Sequence, residues 1–441
     1  MTRKLIYLAV VCLLLTAVGQ NITQADSGPQ HQQEQGRPIM LGTSGGNIND
    51  ISSAYCCGGT LGALVEGGGS QYILSNNHVL ARTNIALPGE QIIQPGLIDQ
   101  QCARDTKDAV ANLSDFITIR FKKGSVVPLN EVDAAIAQVV AGAVDANGAI
   151  LDIGEVGAET VEATIGQAVK KSGRTTGLTA GTVGAINVTA DVGYSKECGG
   201  VAAQVARFKN QILIQTPNFC AGGDSGSLIV ENVAAKPRAV GLLFAGSSNN
   251  STTLANPIGA VLNAFGVTMP GGTPSLPKPI GSIKGTVKNT NGTLIQGAIV
   301  RVDSGESATT DTNGFYTITS VTISAHSVQA SAAGFKSQTQ TATVYEGQET
   351  IVNFALKPGK SSPQQAHQAA IDHATKVKNR HEQNIFQIDG VVGSGVGLSK
   401  EGQPVIEVYL KEDRAEGRAR IPAALDNVPL RVVITGEFVA F

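Results

Sequence analysis

The chain has 441 residues, a formal net charge of −2, 52 glycines, 4% aromatic residues and no tryptophan. Its length suggests two to four domains, and the near-neutral charge without a long basic tract argues against nucleic acid as a main partner. Abundant glycine beside many Val, Ile and Thr favours β-structure with numerous turns.

Residues 1–26 read as a secretory signal, with Arg3 and Lys4 ahead of an apolar core at 5–18. That core is shorter than the ~20 residues a spanning helix needs. Cleavage is expected near Gly19 or Ala25. Cys12 sits inside the apolar core, so lipidation is discounted. No later segment is apolar enough to span a bilayer, so no stable membrane insertion is expected and the mature chain is placed outside the cell or in the periplasm. Residues 27–37, with four glutamines, read as a flexible leader.

From residue 38 the chain becomes short apolar runs separated by Gly, Asn and Asp, at 60–65, 72–74, 116–121, 134–140, 181–188, 211–215, 226–230 and 240–245. Short strands at such spacing indicate a barrel or sandwich rather than alternating βα units. Helical spacing at 258–265 closes this region at about residue 268. A Pro/Gly linker occupies 269–280. Residues 281–358 alternate apolar and polar as half-buried strands do. A further unit, 359–441, combines a helix carrying Ala370, Ile371, Ala374 and Val377 on one face with strands at 391–398, 404–410 and 431–435 and a short helical stretch at 421–425. The Gly393-Ser-Gly-Val-Gly run lacks the strand–loop–helix setting of a dinucleotide loop.

The chemistry centres on Cys220-Ala-Gly-Gly-Asp-Ser-Gly-Ser-Leu-Ile-Val230. Ser225 lies between Asp224 and Gly226, behind Gly222 and Gly223. Such a turn can take positive φ, and the amides of Gly223 and Ser225 can then point at one spot, as an oxyanion hole requires. A serine there becomes a nucleophile only with a histidine and a carboxylate to activate it. His78 follows the run 72–74, which reads as a hairpin with 60–65 across the turn 66–70. Asp133 heads the run 134–140, with Asp115 or Asp108 as substitutes. A lone histidine is usually a surface or packing residue, but His31, His326, His367, His373 and His381 all lie in the leader or beyond the barrel region. Lys171-Ser-Gly-Arg-Thr-Thr-Gly177 lacks the phosphate-loop order and reads as a turn with a strand.

Together SNNHVLA, VDAAIA, KSGRTTG and GDSGS resemble the trypsin-like (chymotrypsin-fold) serine peptidases, in a branch of bacterial secreted type, over residues 38–268. The order His, Asp, Ser along the chain is that of the chymotrypsin-type triad. The resemblance implies two six-stranded β-barrels, with KSGRTTG opening the second. It implies Ser225 as nucleophile, His78 as base and Asp133 as its orienting carboxylate. Phe219, with Phe244, Ala245 and Gly246 on one strand, would form the substrate-binding wall. No acid marks the pocket, so an apolar or small side chain is expected there, in a protein or peptide substrate. The cysteine that often follows the histidine in such enzymes is replaced by Val79. Export permits disulfides; the expected pairs are Cys198 with Cys220 and Cys102 with Cys56 or Cys57. Adjacent Cys56 and Cys57 do not suggest zinc, and neither metal nor cofactor is expected.

Beyond the linker, GTVKNTNGTLIQGAIVRV followed by TTDTNGFYTI resembles the carboxypeptidase regulatory-like β-sandwich, which implies a non-catalytic module. The last unit resembles a small domain that often precedes the peptidase in related bacterial proteins; here it follows, to assist folding, block the cleft or bind a partner. The fold expected is thus mainly β, a double six-stranded barrel, then a sandwich and a small α+β domain. An α/β-hydrolase esterase is disfavoured because residue 227 is Ser where its elbow needs Gly. A secreted binding or adhesion protein that keeps the fold without turnover is the alternative. The sequence does not indicate the oligomeric state.

Overall fold

The computed structural model describes residues 30–440 apart from 197, 199, 201, 273–279, 305 and 360–362. The expected signal segment and most of the 269–280 linker lie outside the described residues.

Two closed β-barrels stand side by side. Around the first, the order is Gly59–Leu61, Thr43–Asn47, Gln91–Ile93, Ala109–Phe116, Ala135–Val139, Ser70–Ser75 and Ala63–Gly67. The two ends of that list are halves of one strand interrupted at Gly62, so the ring closes on six. Glycine is required at the break: a Cβ on Gly62 would lie 1.8 Å from the Gly226 carbonyl oxygen. Leu61, Leu64, Ile73, Leu74, Ile92 and Ala111 are buried in one hydrophobic cluster in and around this barrel.

The second ring runs Gly177–Ser195, Ala168–Gly173, Leu228–Glu231, Ala239–Ser247, Thr253–Pro257 and Ala202–Ile214, which pairs back to Gly177–Ser195. Helix Ile258–Phe265 follows, and Gly266 ends it in the left-handed region at φ +64. The hairpin formed by Gly177–Ser195 and Ala202–Ile214 is far longer than a barrel needs, and its free end carries two other parts of the chain.

One part is the two-residue strand Phe438–Val439, parallel to Val192 and Gly193; the other is the sheet of the last unit. Val391–Leu398 pairs antiparallel with the hairpin, Ala185 opposite Gly397 and Ala190 opposite Gly393. Pro404–Leu410 and Val428–Ile434 extend it, so the sheet runs unbroken from the second barrel into the α+β unit. Helix Pro363–Ile385 covers it with Ile371, Ala374 and Val377. The Gly393-Ser-Gly-Val-Gly run is strand, and its glycines make room for large neighbours: a Cβ on Gly395 would meet the Tyr409 hydroxyl at 2.6 Å. The helical stretch expected at 421–425 lies instead at Ala415–Arg420. Pro422 disfavours helical backbone at Ile421. Asp426 and Asn427, both at positive φ, then form the two-residue turn of a hairpin pairing Leu425 with Val428.

Strands from Ile280 to Leu356 build two four-stranded sheets packed over a common core that includes Ile283, Val300, Val328 and Phe354. The expected linker begins and ends inside structure: Met269 is buried in the first barrel's cluster, and Ile280 already belongs to a strand. Residues 30–37, expected as part of a flexible leader, are held against the barrels. His31 is buried and lies 2.9 Å from the Ser172 hydroxyl and 3.1 Å from the Asp152 carboxylate. Among the described residues no helix is long and apolar enough to cross a membrane.

Candidate active site

Strand register brings histidine and carboxylate together. Ser75 pairs with Ala135, so the chain two residues beyond one strand meets the chain two residues before the other. His78 stands there on the one-turn helix Asn77–Leu80, facing Asp133. Asp133 is fully buried, and its Oδ2 lies 2.6 Å from His78 Nδ1. Its Oδ1 accepts from the Asn77 amide at 2.8 Å and the His78 amide at 3.3 Å. The Asp133 amide in turn donates to Asn256 Oδ1 of the second barrel at 3.1 Å. The carboxylate therefore has one orientation, and the imidazole is set by it. Of the two substitutes weighed from the sequence, Asp115 is exposed on its strand and Asp108 ends the short helical turn Thr106–Asp108.

Tyr194, which sequence reasoning missed, completes this arrangement. Its hydroxyl donates to Asp133 Oδ2 at 2.8 Å, and its ring meets the His78 ring edge-on with centroids 5.9 Å apart. Burial, and then the Asp133 charge, push the phenol well above its ordinary range, so it stays a donor. The residue comes from the far end of the long hairpin, 61 positions from Asp133. No local pattern marks it.

Ser225 sits on a turn whose neighbours Gly223 and Gly226 both take φ +95, where a side chain would be strained. Asp224 fixes the turn. Its carboxylate accepts from the amides of Thr175, Thr176 and Ala221 at 2.8, 3.1 and 3.0 Å, and it forms a fully buried ion pair with Lys171 at 3.2 Å. Burial pushes the Lys171 ammonium down while Asp224 opposes the shift. The Lys171–Gly177 stretch is the strand and turn expected, and it also buttresses the serine, a role only the fold reveals. The first barrel holds the same turn: the Thr60 amide donates to the Ser225 carbonyl at 2.9 Å and its hydroxyl to the Gly223 carbonyl at 2.9 Å. Among the described residues the amides of Gly223 and Ser225 make no intramolecular hydrogen bond. The Ser225 hydroxyl lies 3.4 Å from the Phe244 carbonyl oxygen. Gly59 separates the serine turn from the histidine helix, since a Cβ there would meet both Val79 and the Ser225 carbonyl.

A cavity of about 110 Å³ opens beside His78, lined also by Tyr194, Asp50, Cys57, Cys198 and Ala440. Asp50 is half-buried there; burial pushes its carboxyl up to about 6, against the opposing pull of Arg82 and His78. Of the residues expected to form a substrate wall, Phe219 packs with Val169, Val183 and Ile214 inside the second barrel. Phe244 packs against Phe208, ring centroids 4.8 Å apart. Neither ring presents appreciable surface to solvent. Ala245 and Gly246, near the end of the strand Ala239–Ser247, are buried as well.

Among the described residues two disulfides form, Cys56–Cys102 and Cys57–Cys198. The expected Cys198–Cys220 pair is not made. Cys220 is buried in the barrel core with its Sγ 3.0 Å from the Thr253 hydroxyl, and burial pushes its thiol up to about 11. Cys198 lies near the hairpin tip and reaches the other barrel instead.

A family model described as the carboxypeptidase regulatory-like domain matches residues 282–357, and one described as the Nal1 C-terminal domain matches residues 109–260. Streptogrisin-A of Streptomyces griseus is 37% identical over 127 residues, 28% of this chain and 36% of that protein. Glutamyl endopeptidase 2 of the same organism is 37% identical over 134 residues, 29% of this chain and 60% of that protein. The chain thus matches less than two thirds of the length of either relative. Among solved structures, a glutamic acid specific serine protease that uses a histidine triad in substrate binding aligns with 23% identity over 52% of this chain and 100% of its own, with a TM-score of 0.35. By sequence, then, the chain is similar to trypsin-like serine peptidases of bacterial type and carries a carboxypeptidase regulatory-like domain at residues 282–357.

Proposed function

We propose that the chain is a secreted serine endopeptidase that hydrolyses peptide bonds through an acyl-enzyme. The observation that carries this reading is the imidazole of His78 held through Nδ1 at 2.6 Å by a buried, multiply hydrogen-bonded Asp133, across Gly59 from a serine on a glycine-flanked turn. With the proton on Nδ1, Nε2 is the basic nitrogen. Ser225 Oγ attacks the substrate carbonyl carbon while His78 takes its proton. The amides of Gly223 and Ser225 receive the negative oxygen, and His78 returns the proton to the leaving amine. Water repeats the sequence to release the acyl group. Ala245 and Gly246, on the strand Ala239–Ser247, are the residues this reading gives to an apolar or small substrate side chain. Two disulfides suit an oxidising compartment outside the cytoplasm.

The test is labelling of the purified chain by a fluorophosphonate, with Ser225→Ala and His78→Ala beside it. Labelling that needs both residues supports the reading. Absence of labelling from every folded form of the protein would return it to a binding role.

A further inference from the structure

Residues 30–35 are tied to both barrels, and the ties converge on one buried imidazole. On the first barrel the Thr43 hydroxyl donates to the His31 carbonyl at 3.0 Å. The Gln94 side chain donates to the Gln33 carbonyl at 2.8 Å and accepts from the Gln35 amide at 3.1 Å. Gln35 folds back on its own chain, accepting from the Met40 amide at 2.9 Å and donating to the Met40 carbonyl at 3.1 Å. On the second barrel the Gln32 side chain donates to the Arg174 carbonyl at 3.5 Å, and His31 Nε2 reaches the Ser172 hydroxyl. The same nitrogen faces Asp152, on the segment that joins the barrels. A carboxylate can only accept, so His31 carries a proton on Nε2 and shares it between Asp152 and Ser172.

The contacts of His31 lead to the serine turn. Ser172 lies between Lys171, which pairs with Asp224, and Gly173, where a Cβ would meet the Asp224 carboxylate at 2.8 Å. Lys171 also donates to the Gly177 carbonyl at 3.0 Å. A Cβ on Gly177 would lie 3.2 Å from the His31 ring, so the imidazole packs directly on that glycine. His31 therefore touches both ends of the stretch 172–177. Between those ends the chain gives Asp224 the Thr175 and Thr176 amides and the Thr176 hydroxyl, the last at 2.7 Å. A buried ion pair is favourable only while its geometry and its other hydrogen bonds are kept. Without His31 the buried Ser172 hydroxyl loses its partner and the face of Gly177 loses its cover.

We propose that His31 is a positioning residue for Ser225, and that residues 30–35 are a strap that fixes the stretch 172–177 and, through the Lys171–Asp224 pair, the serine with the amides of Gly223 and Ser225. This rests on the peptidase reading above. A maturation cut after Gly36 would then lower activity rather than release it.

The test uses the full chain with His31→Ala, His31→Gln, Ser172→Ala and the His31→Ala/Ser172→Ala double variant, each assayed well below its unfolding midpoint. Glutamine carries its side-chain N–H groups about as far out as imidazole Nε2, so it keeps the donor without the ring. In His31→Ala, kcat and the rate of fluorophosphonate labelling are expected to fall about tenfold with KM little changed. His31→Gln should recover most of that loss, Ser172→Ala should lose less, and the double variant should fall no further than His31→Ala. Wild-type kcat and labelling rate in His31→Ala, whatever its unfolding midpoint, would overturn the positioning role and leave the peptidase reading intact. Losses that add fully in the double variant would overturn the link through Ser172. No labelling of the wild-type chain would remove both readings.

Discussion

At the scale of single residues, Tyr194 and Asp50 shape the surroundings of the His78 imidazole. Tyr194 gives Asp133 a hydrogen bond on the same oxygen that faces the imidazole. Removing it with Tyr194→Phe keeps the ring packing and takes away only the donor. A hydrogen bond to a charged group contributes roughly 1.5–3 kcal/mol, so kcat should fall about tenfold or more with KM little changed. Steady-state kinetics would check the split; a rise in KM alone would count against a positioning role. Asp50 acts through pH. Its carboxyl is raised to about 6 from an ordinary 3.8, so folding favours the protonated form. Below about pH 4 folded and unfolded chains both hold the proton and nothing is lost. As pH rises towards 6 the unfolded chain releases it first, and stability falls. Asp50→Asn should therefore raise stability at pH 7, by an amount of the order of 2 kcal/mol, and change it little at pH 3.5. Urea unfolding at the two pH values would show whether the gain is confined to the higher one.

At the scale of elements, the long hairpin is the part on which the rest depends. It supplies Tyr194 to the site, Gly193 as the pairing partner of Val439 and an edge to the last sheet. Cys57–Cys198 ties its tip to the first barrel across 141 positions, whereas Cys56–Cys102 closes only 46. On loop-closure grounds Cys57→Ser with Cys198→Ser should cost about 3–5 kcal/mol, slightly more than opening the shorter loop. It should also loosen Tyr194. Thermal unfolding of the two double mutants, with amide exchange along 190–195, would test both parts; faster exchange only after loss of the shorter bridge would contradict them.

At the scale of the whole molecule, barrel and α+β unit share one sheet rather than meeting as separate bodies. Cutting the chain back to residue 358 would strip the Ala185–Ala190 edge of its partner strand. An unpaired strand edge invites pairing with another chain. Such a truncation is expected to associate or aggregate where the full chain does not, measured by light scattering at equal concentration; a well-behaved monomer would show that the barrel's edge protects itself.

Much of this was readable from the sequence. Short runs punctuated by Gly and Asn report strands because side-chain alternation and turn chemistry are local. The turn glycines around Ser225, and the histidine just past a strand, are equally local, so Ser225 and His78 stand out without coordinates, whereas Asp133 is marked only by the family resemblance. The choice of Asp133 over Asp115 as neighbour of the imidazole depends on the Ser75–Ala135 register. The partner of Cys198, the ion pair of Lys171 with Asp224, the hydroxyl of Tyr194 and the seat of Phe438 join residues separated by tens to hundreds of positions. Nothing in a local pattern encodes such a meeting. It is decided when two barrels close and a sheet continues from one part of the chain into another, because only then do burial and main-chain pairing select which distant groups touch.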